Sequence, residues 1–205
     1  NVATSCGEIT NHLRTEMVKM LKHNGTIILE TERLILRQFS VDDAEDMFSN
    51  WANDEEVTKY MTWLPHQDIK VTKGLLNSWV NGYNSLENYN WAIVPKNYGK
   101  VVGSISVVEI SNTMERCEVG YCLSKSYWNQ GIMTESLTAI IKYLFNEIGF
   151  NRIQATHNIA NVASGKVMLK SGMIYEGKLS KYNKSNKGIF IDCSIYSIIK
   201  EDFIG

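Results

Sequence analysis

The run Tyr127-Trp128-Asn129-Gln130-Gly131-Ile132-Met133-Thr134-Glu135-Ser136 lies between a strand-like segment, Cys117–Leu123, and a helical one, Met133–Asn146. A strand, a short loop with one glycine and then a helix start make a ready-made anion site. The first amides of a helix have no partner within it and point outward. The helix dipole adds partial positive charge at the same end. Gly131 has no Cβ, so the backbone can come close to a bulky ligand there. The segment therefore suits a pyrophosphate held mainly by main-chain groups; the alternative is a plain strand-to-helix turn with nothing bound. One glycine is a weak motif, so the rest of the chain has to decide.

The 205 residues set a prior of one domain, with room for an appendage. A net charge of -1 argues against a broad basic surface for nucleic acid, although local lysines can still meet a phosphorylated ligand. Cysteines stand at Cys6, Cys117, Cys122 and Cys193, with no Cys-x-x-Cys and no clustered histidines, which argues against zinc or any other metal. Cys117 and Cys122 are an odd number of residues apart on one strand and point to opposite faces. No disulfide framework is expected, and a reducing cytoplasm fits. No apolar run reaches the length of a membrane span, and the first residues lack the apolar core of a signal peptide.

In chain order, Ser5–Lys22 reads as an amphipathic helix, with Ile9, Leu13, Met17, Met20 and Leu21 on one stripe and Asn24-Gly25 as its stop. Residues 1–25 are thus expected to be a helical extension and 26–205 the domain. Thr26–Phe39 reads as one long strand or two collinear ones. Ser40, with Asp43, caps a helix over Val41–Asn50. A short helix over Asn53–Tyr60, a loop over Met61–Gln67 and a helix over Ile69–Tyr83 capped by Asp68 follow. The period then changes to that of strands over Asn90–Val94, Lys100–Glu109 and Glu115–Ser124, the last two joined by the turn residues Ser111-Asn112-Thr113. The helix after the anion site carries Leu137, Ile140, Ile141, Leu144 and Ile148 on one face. Strand Arg152–His157, helix Val162–Lys170 and strands Ile174–Tyr182 and Gly188–Ile199 complete the chain. The order β-α-α-β-β-β-α-β-α-β-β implies one mixed α/β domain with helices on both faces of its sheet.

Several stretches resemble the GNAT superfamily of N-acetyltransferases, in the subgroup similar to ribosomal-protein-alanine acetyltransferases. They are Thr31-Glu32-Arg33-Leu34-Ile35-Leu36-Arg37 with Asp42-Asp43-Ala44, Val102-Gly103-Ser104-Ile105, Glu118-Val119-Gly120-Tyr121-Cys122-Leu123, the loop Tyr127–Glu135, and Asn161-Val162-Ala163-Ser164 with Lys170-Ser171-Gly172-Met173 and Glu176-Gly177. The resemblance spans roughly 30–203. It implies a mixed, mostly antiparallel seven-stranded sheet whose fourth and fifth strands splay apart around acetyl-CoA. It places the pyrophosphate on the amides of Gln130, Gly131, Ile132, Met133 and Thr134. The pantetheine arm then pairs with the backbone of Tyr121, Cys122 and Leu123, as an added strand would, and bonds Asn161. Lys166 and Lys170 are candidates for the CoA phosphates, or solvated surface lysines. The chain departs from the family loop at Trp128, Asn129 and Met133, and Met173 replaces a usual Phe.

Acetyl transfer to an amine needs a proton acceptor for the amine, a donor to the tetrahedral oxyanion and a donor to the leaving thiolate. A free main-chain N–H on the splayed fourth strand suits the oxyanion. By resemblance Ser164 serves the thiolate; the alternative is a helix residue bonding its own backbone. The tyrosine that many relatives use for this step stands where this chain has Met168. Glu118 is the candidate base, with a structural ion pair or deprotonation through water as alternatives, and His66 and His157 as further candidates. The early helices and the Met61–Gln67 loop are expected to shape the acceptor pocket, with Trp63 and His66 in it; Trp91 is a candidate wall whose favoured reading is core packing. The resemblance thus implies a cytoplasmic acetyl-CoA-dependent N-acetyltransferase, monomeric or homodimeric. Its acceptor is a protein N-terminus, a ribosomal protein included, or a small amine. The alternatives are an acyl-CoA-binding sensor without catalysis and an enzyme using a longer acyl donor. No nucleic acid or membrane partner is expected.

Overall fold

The computed structural model describes residues 21–204. The expected helix over Ser5–Lys22 lies outside the described residues except for Leu21 and Lys22, which are not helical. The Lys22 main-chain N–H donates to Ile148 O at 2.9 Å, so the chain is already tied to the domain at that point.

Among the described residues eight strands form one sheet in the order β1-β2-β3-β4-β5-β6-β8-β7. They are β1 (Leu29–Glu30), β2 (Leu34–Arg37), β3 (Asn90–Pro95), β4 (Gly103–Ser111), β5 (Arg116–Leu123), β6 (Arg152–Asn158), β7 (Ile174–Lys184) and β8 (Phe190–Ile199). All neighbours are antiparallel except β5 and β6, which run parallel. The eighth strand corrects the expectation of seven. Thr26–Phe39 is neither one strand nor two collinear ones: β1 and β2 fold back on each other, with Leu29 opposite Leu36. Thr31 makes the reversal. Its N–H donates to Leu34 O at 3.0 Å, and its hydroxyl oxygen accepts from the Leu34 N–H at 3.0 Å. A threonine hydroxyl closing a tight turn needs no glycine or proline, the usual turn signals.

Helices cover both faces. On one side lie α1 (Ala44–Met47), continued by a wide π-helical turn over Phe48–Ala52, then α2 (Glu55–Thr58) and α3 (Ile69–Gly82). On the other lie α4 (Ile132–Tyr143), with its own π-helical turn over Leu144–Ile148, and α5 (Val162–Lys170). No helix among the described residues is long and apolar enough to cross a membrane. Strand β3 is buried along its whole length and shows how the layers divide. Trp91 and Ile93 join Leu137, Ile140, Ile141 and Phe145 under α4. Ala92 and Val94 join Met47, Trp51 and Leu76 under α1–α3. The period-2 alternation of a strand therefore feeds two cores. Cys117 and Cys122 fall in opposite cores, as their spacing requires.

Local capping follows the sequence closely. Ser40 and Asp43 form a reciprocal capping box before α1, the Ser40 N–H donating to Asp43 Oδ2 at 2.8 Å. Asp43 also takes a bidentate bond from Arg37 at 2.8 and 2.7 Å, which ties this helix entry to β2. Replacing Ser40 with Ala is expected to cost about 1 kcal/mol, the usual worth of such a cap. The urea midpoint should fall with an unchanged slope; an unmoved midpoint would refute the cap.

Candidate active site

Strands β5 and β6 pair only where Arg116, Cys117 and Glu118 face Arg152, Ile153 and Gln154. Beyond that point they part, although β5 continues to Leu123 and β6 to Asn158. A cleft of about 650 Å³ opens in the gap. Tyr121, Cys122 and Leu123 line it from β5, Gly131 to Thr134 from the start of α4, and Asn161, Ser164, Lys166 and Lys170 from α5. Glu56 and Val57 of α2, with Tyr60 and Met61 just after it, line the opposite end.

The entry to α4 is built differently from the entries to its neighbours. Asp54, Asp68 and Asn161 each accept a main-chain N–H and cap α2, α3 and α5. The residue in that position before α4 is Gly131, and no side chain caps the helix there. Gly131 has φ +76° and Asn129 has φ +60°. The left-handed region costs most side chains about 1–2 kcal/mol, and asparagine tolerates it better than most. That explains why asparagine serves at 129. The ideal Cβ position of Gly131 lies 3.3 Å from Arg33 Nη2. The glycine is thus favoured by its left-handed backbone, and a Cβ would also press on the Arg33 guanidinium.

Behind the loop, Glu135 in the first turn of α4 gathers donors from the β1–β2 turn. The Thr31 hydroxyl and the Arg33 N–H donate to its Oε1, and the Arg33 guanidinium donates to its Oε2 at 2.6 Å. Burial works to raise the Glu135 pKa, but these bonds outweigh it and hold the carboxyl below its ordinary value. Gln130 is occupied as well. Its side chain donates to Ser126 O at 2.7 Å and its carbonyl accepts from Arg33 at 2.9 Å. Its side chain therefore serves the loop itself.

Across the cleft, the Tyr121 hydroxyl lies 2.9 Å from Ser164 Oγ and 3.1 Å from Ser164 O. The serine hydroxyl is thus paired with a phenol from another strand. Burial drives the Tyr121 pKa up, with the Ser164 bond partly opposing it, so the phenol keeps its proton at neutral pH. Asn161 Oδ1 accepts the Ser164 N–H at 3.3 Å, which leaves the Asn161 amide NH₂ for a ligand. The Trp128 indole N–H donates to Leu123 O at 2.8 Å, so one main-chain acceptor of β5 is already engaged. Cys122 is buried and its thiol is pushed up to about 12 by desolvation, so it carries no thiolate for nucleophilic chemistry near neutral pH.

Other expected residues lie elsewhere. Glu118 is on the opposite face of β5 from Tyr121, where it accepts from Thr156 Oγ1 at 2.7 Å and from Gln154 Nε2 at 3.0 Å. It is held by hydrogen bonds across the two parting strands. Trp63 and His66 are brought together, with ring centroids 5.5 Å apart, but they do not line the cleft. His66 Nδ1 meets Thr72 Oγ1 at 2.8 Å and Trp63 packs on the second core, while His66 also lines a separate hollow with Glu55, Leu64, Pro65, Gln67 and Val71. The Thr72 bond ties His66 to α3, and Trp63 packs beside it. His157 is closed under α5: its Nε2 is buried, and a Cβ on Gly165 would come within 2.8 Å of it. Trp91 is in the core. Glu56, Tyr60 and Met61 are not singled out individually by the sequence, although they lie on the early helix and at the start of the loop expected to shape the acceptor pocket. The cap at Asp54 marks their helix in the sequence, but no pattern says which way that helix faces. Among the described residues Glu56 is the only carboxylate lining the cleft, and it pairs with Lys125. Among the described residues no group of acidic, Cys or His side chains is arranged to hold a metal.

Comparison with known proteins bears on this arrangement. A family model described as the acetyltransferase (GNAT) domain matches residues 33–174. The uncharacterized N-acetyltransferase YoaA of Bacillus subtilis (strain 168) is 32% identical over 173 residues, covering 84% of this chain and 97% of the relative. The crystal structure of a GNAT-family acetyltransferase from Bacillus anthracis superposes with a TM-score of 0.75 at 26% identity, covering 85% of this chain and 99% of that one. The ribosomal-protein-S5-alanine acetyltransferase from Vibrio fischeri superposes with a TM-score of 0.70 at 25% identity, covering 87% and 100%.

Proposed function

Because this chain belongs to the GNAT acetyltransferase family, and is therefore an acyltransferase, we propose that it moves an acetyl group from acetyl-CoA to a primary amine. The acceptor is a protein N-terminus, such as that of a ribosomal protein, or a small amine. The ribosomal choice draws on the activity named for the Vibrio fischeri protein. The observation that carries the reading is the cleft between β5 and β6, bounded at one end by an uncapped helix start and on its flank by a pair of hydroxyls.

The residues divide the work along that cleft. Gly131, Ile132, Met133 and Thr134 offer main-chain N–H groups to the diphosphate, with Lys166 and Lys170 on the α5 rim adding positive charge. Tyr121 and Cys122 present a free strand edge to the pantetheine arm, and the Asn161 amide adds a donor beside it. Ser164, backed by the Tyr121 phenol, donates to the departing sulfur. Glu118 lies on the face of β5 that carries Cys122. Its carboxylate accepts from Thr156 and Gln154 outside the cleft lining, so its part as the base runs through water between it and the amine. Glu56, Tyr60 and Met61 border the acceptor end. The described cysteines Cys117, Cys122 and Cys193 are free thiols, which fits a reducing cytoplasm.

The test is thiol release, followed with Ellman's reagent, from acetyl-CoA over a panel of amines that includes peptides with free N-termini and polyamines. At least one amine should release CoA at a rate above the amine-free control. Binding of acetyl-CoA with no turnover on any amine would replace this reading with that of a sensor. Turnover with a longer acyl-CoA alone would reassign the donor.

A further inference from the structure

Arg33 sits in the turn between β1 and β2, yet its guanidinium is pressed against the loop before α4. Its Nε and Nη2 each lie 2.6 Å from Glu135 Oε2, and its Nη1 donates to Gln130 O at 2.9 Å. The planar fork serves a carboxylate on one side and a main-chain carbonyl on the other. From this geometry we infer that Arg33 is a positioning residue for the diphosphate of acetyl-CoA. It aims the Gly131 N–H into the cleft and cancels the charge that Glu135 brings to the first turn of α4. The inference rests on the proposed function, in which the diphosphate lies on these amides.

Two physical arguments support it. The chain has no cis peptide bonds among the described residues. In a trans peptide the carbonyl and the following N–H point in opposite directions. Holding the Gln130 carbonyl on the Arg33 side therefore turns the Gly131 N–H to the other side, where Gly131 lines the cleft. The second argument is charge. A carboxylate near a helix start complements the dipole while nothing else is bound. An anion arriving at the same amides meets that carboxylate as a like charge, and such encounters are costly. The Glu135 side chain is only 19% exposed, so water screens it poorly and Arg33 must do so.

Acetyl-CoA is titrated calorimetrically into the full chain and into Arg33→Ala, Arg33→Lys and the double variant Arg33→Ala/Glu135→Gln. Arg33→Ala is expected to raise Kd at least tenfold. Arg33→Lys should raise it less, since a lysine keeps the charge but cannot span both partners. The double variant should bind more tightly than Arg33→Ala alone, because the uncompensated carboxylate has gone. A merely structural brace predicts the opposite order, with the double variant at least as weak as the single. Arg33→Ala binding within twofold of the wild type overturns the inference, and so does a double variant no tighter than Arg33→Ala. Absence of acetyl-CoA binding by the wild-type chain would remove the proposed function and this inference together.

Discussion

Gly131→Val is expected to weaken acetyl-CoA binding by roughly ten- to a hundredfold, from a backbone penalty of about 1–3 kcal/mol at about 1.4 kcal/mol per tenfold. The backbone at Gly131 has φ +76°, a region in which a β-branched residue is an outlier. The variant escapes that strain in the free protein by turning the peptide away, which swings the first amides of α4 off the cleft. Binding must then restore the strained loop, and the cost appears in Kd. From sequence, Gly131 is expected to be glycine so that a ligand can approach. The structure gives a different cause, since the ideal Cβ lies beside Arg33 Nη2 at 3.3 Å. Gly131→Asn separates backbone strain from the effect of a Cβ, which asparagine and valine share. Asparagine accepts the left-handed region, as Asn129 does at φ +60°, and should bind better than valine. Equal affinities for the wild type and the valine variant, measured by calorimetry, would count against the loop as the diphosphate site.

Ser164→Ala is expected to lower kcat by about a hundredfold or more while leaving KM for acetyl-CoA nearly unchanged, the usual cost of losing a preorganised donor that acts in the transition state. The Ser164 hydroxyl has one proton. When the Tyr121 phenol is the donor across the 2.9 Å contact, that proton is free to point at the sulfur. The phenol has a second acceptor in Ser164 O at 3.1 Å, so its own proton can alternate between the two as the serine turns. Tyr121→Phe removes this support and should lower kcat in the same direction by about tenfold, a loss equivalent to about 1.4 kcal/mol of barrier. Steady-state kinetics on an amine found active in the panel decides the matter. If kcat and KM of Ser164→Ala both match the wild type, the serine is a helix residue and the thiolate leaves without it.

Much of the architecture was legible because it rests on short-range physics. The change from helical to strand period after Tyr83, the caps at Ser40 and Asp68, and the glycine before α4 are local properties of the backbone and its nearest side chains. The same locality explains the miss at Thr26–Phe39. A reversal closed by the Thr31 hydroxyl carries none of the glycine or proline that ordinarily marks a turn. The placement of Trp63 and His66 was not legible for another reason. Trp63 and His66 are the residue types a pocket uses, but the contacts available on α3 decide where such rings go, and those contacts are made only when the layers close.

By itself the sequence determined which segments alternate, where helices begin, and that a glycine loop precedes the central helix. Each of those depends on residues within one or two turns of one another. Only the tertiary structure decided that β5 and β6 part beyond Glu118, that Tyr121 backs Ser164, and that Arg33 braces a loop about a hundred residues downstream. Those are meetings of side chains from strands and helices far apart in the chain. Their partners are selected by packing and by the burial of polar groups that must be paired, and no periodicity records them.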